Sequence, residues 1–138
     1  MNKAKILLLT FATALLVACG TTRTVPITGR KQNLMVSDEQ VLSLSKQEYD
    51  KYMATATKSS NAANTAMVRR VGQRLARAVE AYFSSHGLSD ELQHYSWEFN
   101  LVADKQANAF CMPGGKIVVY EGLLPYTQDE PSLAVVVG

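Results

Sequence analysis

The sequence is poor in the residues that define several protein classes. It has 2 Cys, 2 His and 4 Pro in 138 residues. Two cysteines rule out a disulfide-dense scaffold, and 4 Pro beside 47% apolar and 19% charged residues rule out collagen-like and disordered chains. No Gly-rich phosphate loop, Gly-x-Ser-x-Gly elbow, Cys-x-x-Cys pair or His-Glu-x-x-His helix occurs. His86 and His94 have no acidic or cysteine neighbour at ligand spacing, which makes them surface residues. Charge of one sign is also scarce. Lys+Arg number 14 against 12 Asp+Glu, and setting aside Lys3 and Lys5, which open an apolar run, leaves 12 against 12. A balanced chain has no field to gather nucleic acid, so no nucleic-acid partner is expected. The length holds one domain at most.

What is present begins with an export-type leader over residues 1–18: Lys3 and Lys5, then Ile6 to Val17, then Ala18. The run is shorter than the roughly 20 residues of helix needed to cross a bilayer. Leu16-Val17-Ala18-Cys19 resembles the bacterial lipoprotein box, which implies cleavage before Cys19, acylation of its thiol and amine, and a lasting hold on a lipid bilayer. Gly20 after the cysteine favours the outer membrane, with the protein facing the periplasm. Lipidation of Cys19 leaves Cys111 alone among Ala109, Phe110 and Met112, where a buried small hydrophobe is expected.

Residues 19–36 carry Thr, Arg, Pro26 and Gly29 and suit a tether or strap. Ser37-Asp38-Glu39-Gln40 is a capping box that predicts a helix to about Thr55, with Leu42, Tyr49 and Met53 on one face. A second helix is expected from about Thr65 to Ser85, apolar along Val68, Val71, Leu75, Val79 and Phe83 and stopped by Gly87. Its other face carries Arg69, Arg70, Arg74 and Arg77, either a solvated stripe or a grip for an acidic partner or phosphate groups. Tyr95, Trp97, Phe99 and Leu101 alternate with polar residues, as in a strand with one buried face. Ala107 to Met112 and Lys116 to Tyr120 read as two strands reversed by the hairpin residues Pro113, Gly114 and Gly115. Thr127-Gln128-Asp129-Glu130 should start a last helix near Asp129, although Val135-Val136-Val137 also suits a strand. The fold class is therefore α+β: two N-terminal helices, a small antiparallel sheet, and the start of a further helix over residues 37–138.

Three segments in this order resemble one family. Val25-Pro26-Ile27-Thr28-Gly29-Arg30, then Asn108-Ala109-Phe110 with Pro113-Gly114-Gly115-Lys116-Ile117-Val118-Val119-Tyr120-Glu121-Gly122-Leu123-Leu124, then Asp129-Glu130-Pro131-Ser132-Leu133-Ala134-Val135-Val136-Val137-Gly138 look like parts of zinc metallopeptidases grouped with HtpX, the CAAX prenyl endopeptidases and BepA-like periplasmic lipoproteins. The resemblance implies a zincin-like fold and a zinc helix whose His-Glu-x-x-His would follow Gly138. It implies zinc in the full-length protein and none bound by this chain, which would be the inactive N-terminal part of a membrane-anchored metalloendopeptidase. It further implies Asn108, Ala109 and Phe110 as a substrate-binding strand, and misfolded or unassembled envelope proteins as partners. A core role for Phe110 and a turn role for Asn108 remain open. The alternative function is a non-catalytic lipoprotein that binds unfolded or assembling envelope proteins.

Overall fold

The computed structural model describes residues 21–25 and 28–138. The leader, Cys19, Pro26 and Ile27 lie outside the described residues. The chain divides into residues 1–37 and residues 38–138. In the first unit, the segment read as a tether contains an antiparallel hairpin of β1 (Thr21–Thr24) and β2 (Lys31–Leu34), in register from Thr21 opposite Leu34 to Thr24 opposite Lys31. Gly29, at φ 65°, lets the chain reverse, and its N–H donates to the Val25 carbonyl at 2.9 Å.

The second unit opens with α1 (Asp38–Thr55), as the capping box predicts. The next helix, α2 (Ala62–Ser85), starts three residues before its expected first residue. Asn61 is its cap, its side chain accepting the Asn64 N–H at 3.0 Å, and small polar residues that resemble a connector conceal that start. Gly87 sits at φ 69° just beyond the end. A 3₁₀ turn at Ser89–His94 follows, then β3 (Glu98–Val102), β4 (Ala109–Met112), β5 (Lys116–Tyr120), the short α3 (Leu124–Thr127) and α4 (Glu130–Val137). The final segment is a helix rather than the alternative strand: Asp129 caps it by accepting the Ser132 N–H at 2.8 Å, and Pro131 occupies its first turn.

The α+β class holds, with one correction. The sheet order is β3-β5-β4, and while β4 and β5 form the expected antiparallel hairpin, β3 runs parallel to β5. The sheet is mixed, because the chain leaves β3, crosses to the far side and returns through β4 into the centre. β5 (Lys-Ile-Val-Val-Tyr) is buried along its whole length. One face packs Phe99, Leu101, Ile117 and Val119 with Val68, Val71 and Leu75 of α2 and Leu133 of α4. The other packs Val102, Phe110, Met112, Val118 and Tyr120 with Tyr49, Tyr52 and Met53 of α1. Both faces of β3 are thus covered, which corrects the one-sided strand inferred from alternation. Gly72 is where α2 and the sheet come closest, since a Cβ there would lie 2.1 Å from the Phe99 ring.

Candidate substrate-binding edge

β4 forms one margin of the sheet, and among the described residues no strand pairs with its outer side. The Tyr120 N–H donates to the Asn108 carbonyl at 3.0 Å, and the register continues with Phe110 opposite Val118 and Met112 opposite Lys116. In an antiparallel pair, ladder bonds fall on alternate residues, so the backbone groups of Phe110 and Met112 turn inward and those of Ala109 and Cys111 turn outward. An extended peptide needs this row of donors and acceptors to add as a further strand.

Three features hold the margin in place. Gly114 (φ 88°) and Gly115 (φ 79°) supply the left-handed turn of the Pro113-Gly114-Gly115 loop, and a Cβ on Gly115 would meet the Trp97 ring at 2.6 Å. The loop entering β4 is clamped at Gly122, whose N–H donates to the Asp104 carbonyl at 2.8 Å. A Cβ on Gly122 would fall 2.1 Å from the Lys105 carbonyl oxygen, so only glycine admits this approach. Phe110 packs edge-on against Tyr52 and Tyr120, with ring centroids 5.1 and 6.2 Å apart.

The residues singled out in the sequence divide accordingly. Asn108 is exposed at the mouth of the strand, Ala109 is half-buried against the α2 side of the core, and the Phe110 ring is half-buried against α1. The aromatic ring therefore serves the core, while the outward backbone of Ala109 and Cys111 is what a peptide could reach. Cys111 is exposed rather than buried, because the sheet order β3-β5-β4 puts its strand at the margin. Partial desolvation still holds its thiol above the usual pKa. His86 is exposed and His94 half-buried.

Sequence patterning did not reveal a polar cluster between α1 and the sheet. The Lys116 ammonium, almost wholly buried, donates to Glu98 Oε1 at 2.7 Å and to the Ser96 carbonyl at 2.5 Å. The Tyr49 hydroxyl donates to Glu98 Oε2 at 2.9 Å and accepts from Asn100 Nδ2 at 2.6 Å. The bond from Lys116, aided by that from Tyr49, holds the Glu98 carboxyl below its ordinary range, and burial, with the Glu98 charge, pushes the Tyr49 phenol upward. The one available signal was Lys116 opening a strand otherwise made of Ile, Val and Tyr. Among the described residues, no three of His, Cys, Asp and Glu come together as a metal site. The described residues do not fit a zinc centre. The chemistry they support is the capture of extended backbone.

An α+β unit with a strand edge left open among the described residues offers an extended polypeptide a place to add as a strand. Residues 62–138 match the family model for peptidase family M48, and the chain belongs to that family. It is 41% identical over 54 residues to the mitochondrial metalloendopeptidase OMA1 of Arabidopsis thaliana, covering 39% of this chain and 11% of that protein. With the OMA1 of Schizosaccharomyces pombe it shares 37% identity over 62 residues, 45% of this chain and 17% of that protein. With human OMA1 the identity is 28% over 113 residues, 82% of this chain and 21% of that protein. The chain spans about a fifth or less of the length of these relatives. Their names correct one expectation. They are mitochondrial proteins, so a bacterial outer-membrane location facing the periplasm, inferred from the few residues between Leu16 and Gly20, does not stand. A short apolar leader does not by itself specify a compartment.

Proposed function

We propose that this chain supplies the substrate-holding part of a zinc metalloendopeptidase that acts on misfolded or unassembled proteins at a membrane. The observation that supports the reading is the open outer edge of β4, with the outward backbone of Ala109 and Cys111, in a chain of the M48 family. An unfolded polypeptide is a natural ligand for such an edge, because its backbone donors and acceptors are free and strand addition requires no particular sequence. A zinc ion bound elsewhere in such an enzyme would supply Lewis-acid chemistry for hydrolysis. The part assigned to this chain is to hold the substrate extended along Asn108, Ala109 and Phe110. The grouping with HtpX, CAAX prenyl endopeptidases and BepA-like lipoproteins belongs to this proposal, as does attachment through an acylated Cys19, which mass spectrometry of the purified protein would test directly.

Casein cleavage and zinc content, measured for this chain and for a product extended through the reading frame beyond Gly138, test the proposal. The expected result is zinc and cleavage in the extended product. Its Cys111→Pro variant should keep its fold and zinc yet lose most cleavage, because the outward N–H is not a ladder bond but is needed by an added strand. Cleavage unaffected by Cys111→Pro would remove the strand from the site, and an extended product without zinc would remove the enzyme reading. Casein bound through this edge but never cut would favour the non-catalytic binder.

A further inference from the structure

The opposite margin of the sheet holds a second place where a strand could add. The β3 edge is covered over only part of its length: the Ser59 N–H donates to the Leu101 carbonyl at 2.9 Å and the Ala103 N–H to the Thr57 carbonyl at 2.8 Å. Glu98 donates inward, to the Gly115 carbonyl at 3.0 Å, so the alternation turns the backbone groups of Trp97 and Phe99 outward. Among the described residues nothing bonds to them there. They open into a cleft of about 620 Å³, lined on its far wall by Arg69, Gln73, Arg77 and Glu80 of α2.

The arginine stripe of α2 divides at this cleft. Arg70 and Arg74 turn to Glu130 of α4, at 2.6 and 3.7 Å. Arg69 and Arg77 are exposed and, among the described residues, pair with no carboxylate. The two carboxylates at the cleft are occupied: Glu80 accepts the Trp97 indole N–H at 3.0 Å, and Glu98 is held by Lys116 and Tyr49. Spacing adds a constraint. Glu80 meets Trp97 while Gly72 meets Phe99, so α2 runs antiparallel to β3 along the cleft. Arg69, Gln73 and Arg77 follow at four-residue steps, about 6 Å each on a helix. Alternate side chains of an extended strand repeat at about 6.8 Å. A strand added to Trp97 and Phe99 would therefore bring its i, i+2 and i+4 side chains past Arg69, Gln73 and Arg77 in turn.

We propose that the cleft between α2 and the open half of the β3 edge is a second peptide-docking groove, for an extended segment with acidic residues four apart and a polar residue between them. A diffuse anionic surface would call on the arginines alone, whereas the unpaired strand edge beside them is specific for polypeptide. The groove is independent of the β4 edge and of any metal centre. It would recruit an acidic strand of a substrate or partner at a point away from the site of cleavage.

Fluorescence anisotropy of a labelled seven-residue peptide, valine alternating with glutamate, threonine and glutamate, tests this on the whole 138-residue chain. We expect saturable binding that weakens at least tenfold in Arg69→Glu/Arg77→Glu and remains in the surface control Lys51→Glu. The doubly reversed variant should instead take the same peptide with lysine for glutamate, which also shows that it folds. N-methylation of alternate peptide bonds should abolish binding to the unaltered chain. The proposal is overturned if the double reversal leaves affinity unchanged, if methylated peptide binds equally, or if loss occurs only in Cys111→Pro, which would return the peptide to β4. Binding of phosphatidylglycerol vesicles without peptide binding would replace it with a lipid surface.

Discussion

The two margins of the small sheet are built in opposite ways. Among the described residues the β4 margin is open along its length, and it is kept in shape from behind by a glycine-clamped entry loop, a Pro-Gly-Gly hairpin and the Phe110 ring wedged between Tyr52 and Tyr120. The β3 margin is shaped from outside: a strap of residues 57–59 seals its end, and α2, with two guanidinium groups that pair with no carboxylate among the described residues, faces the rest. Exposed strand edges are a liability because they invite indiscriminate pairing. Here one edge is held rigid but chemically plain, suited to any unfolded chain, and the other is short and charged, suited to a selected one.

Breaking the β4 support should give the largest effect. Gly122→Ala places a methyl group against the Lys105 carbonyl, where neither backbone can yield, and should cost on the order of 3 kcal/mol. Urea denaturation would measure this, and a cost below about 0.5 kcal/mol would show that the clamp is loose. The two faces of β4 can then be set against each other with proline. Phe110→Pro removes an inward ladder bond together with the ring packed between Tyr52 and Tyr120 and should destabilise by more than about 3 kcal/mol, whereas Cys111→Pro touches an outward N–H and should cost less than half of that. Equal losses would mean the parity assigned to the strand is wrong.

On the β3 side the effects are smaller. Ser59→Ala removes the strap's hydroxyl bond to Glu121 and its acceptor for the Asn61 N–H, and should cost about 1 kcal/mol. Faster amide exchange at Ala103, with β4 unchanged, would show that the strap alone had loosened. The smallest effect concerns pH. Glu98 is held below its ordinary value of 4.5, so its bonds to Lys116 and Tyr49 add stability that is present above that pH and lost as pH falls through the lower folded value. Glu98 is half exposed, so the contribution is modest. Glu98→Gln should flatten the acid limb of a melting-temperature profile, and a profile identical to that of the unaltered chain would disconnect the cluster from stability.

Local patterns in the sequence carried much of this. Helical periodicity, the residues before Val41 and the Asp129 cap located the helices, and Ile117-Val118-Val119 marked the central strand. The N-terminus of α2 was hidden because Asn61 caps through a geometry that composition does not encode. The strand Asn108-Ala109-Phe110 was legible only as a resemblance, and its division into outward backbone and inward ring was not. Cys111 was misjudged for the same reason, since its apolar neighbours do not say which strand lies at the edge. The polar cluster of Tyr49, Glu98, Asn100 and Lys116 brings together residues up to 67 positions apart in the chain. No window along the sequence contains it.

By itself, then, the sequence determined where the chain turns and which stretches are helix or strand, because capping, glycine geometry and hydrophobic period act over a few neighbouring residues. Tertiary structure decided that β3 runs parallel to β5, that both faces of the sheet are covered, and that Arg70 and Arg74 meet Glu130 while, among the described residues, Arg69 and Arg77 meet no carboxylate. These depend on which distant segments share a layer, and that is set by the packing of α1, α2 and α4 against a sheet that no local interaction specifies.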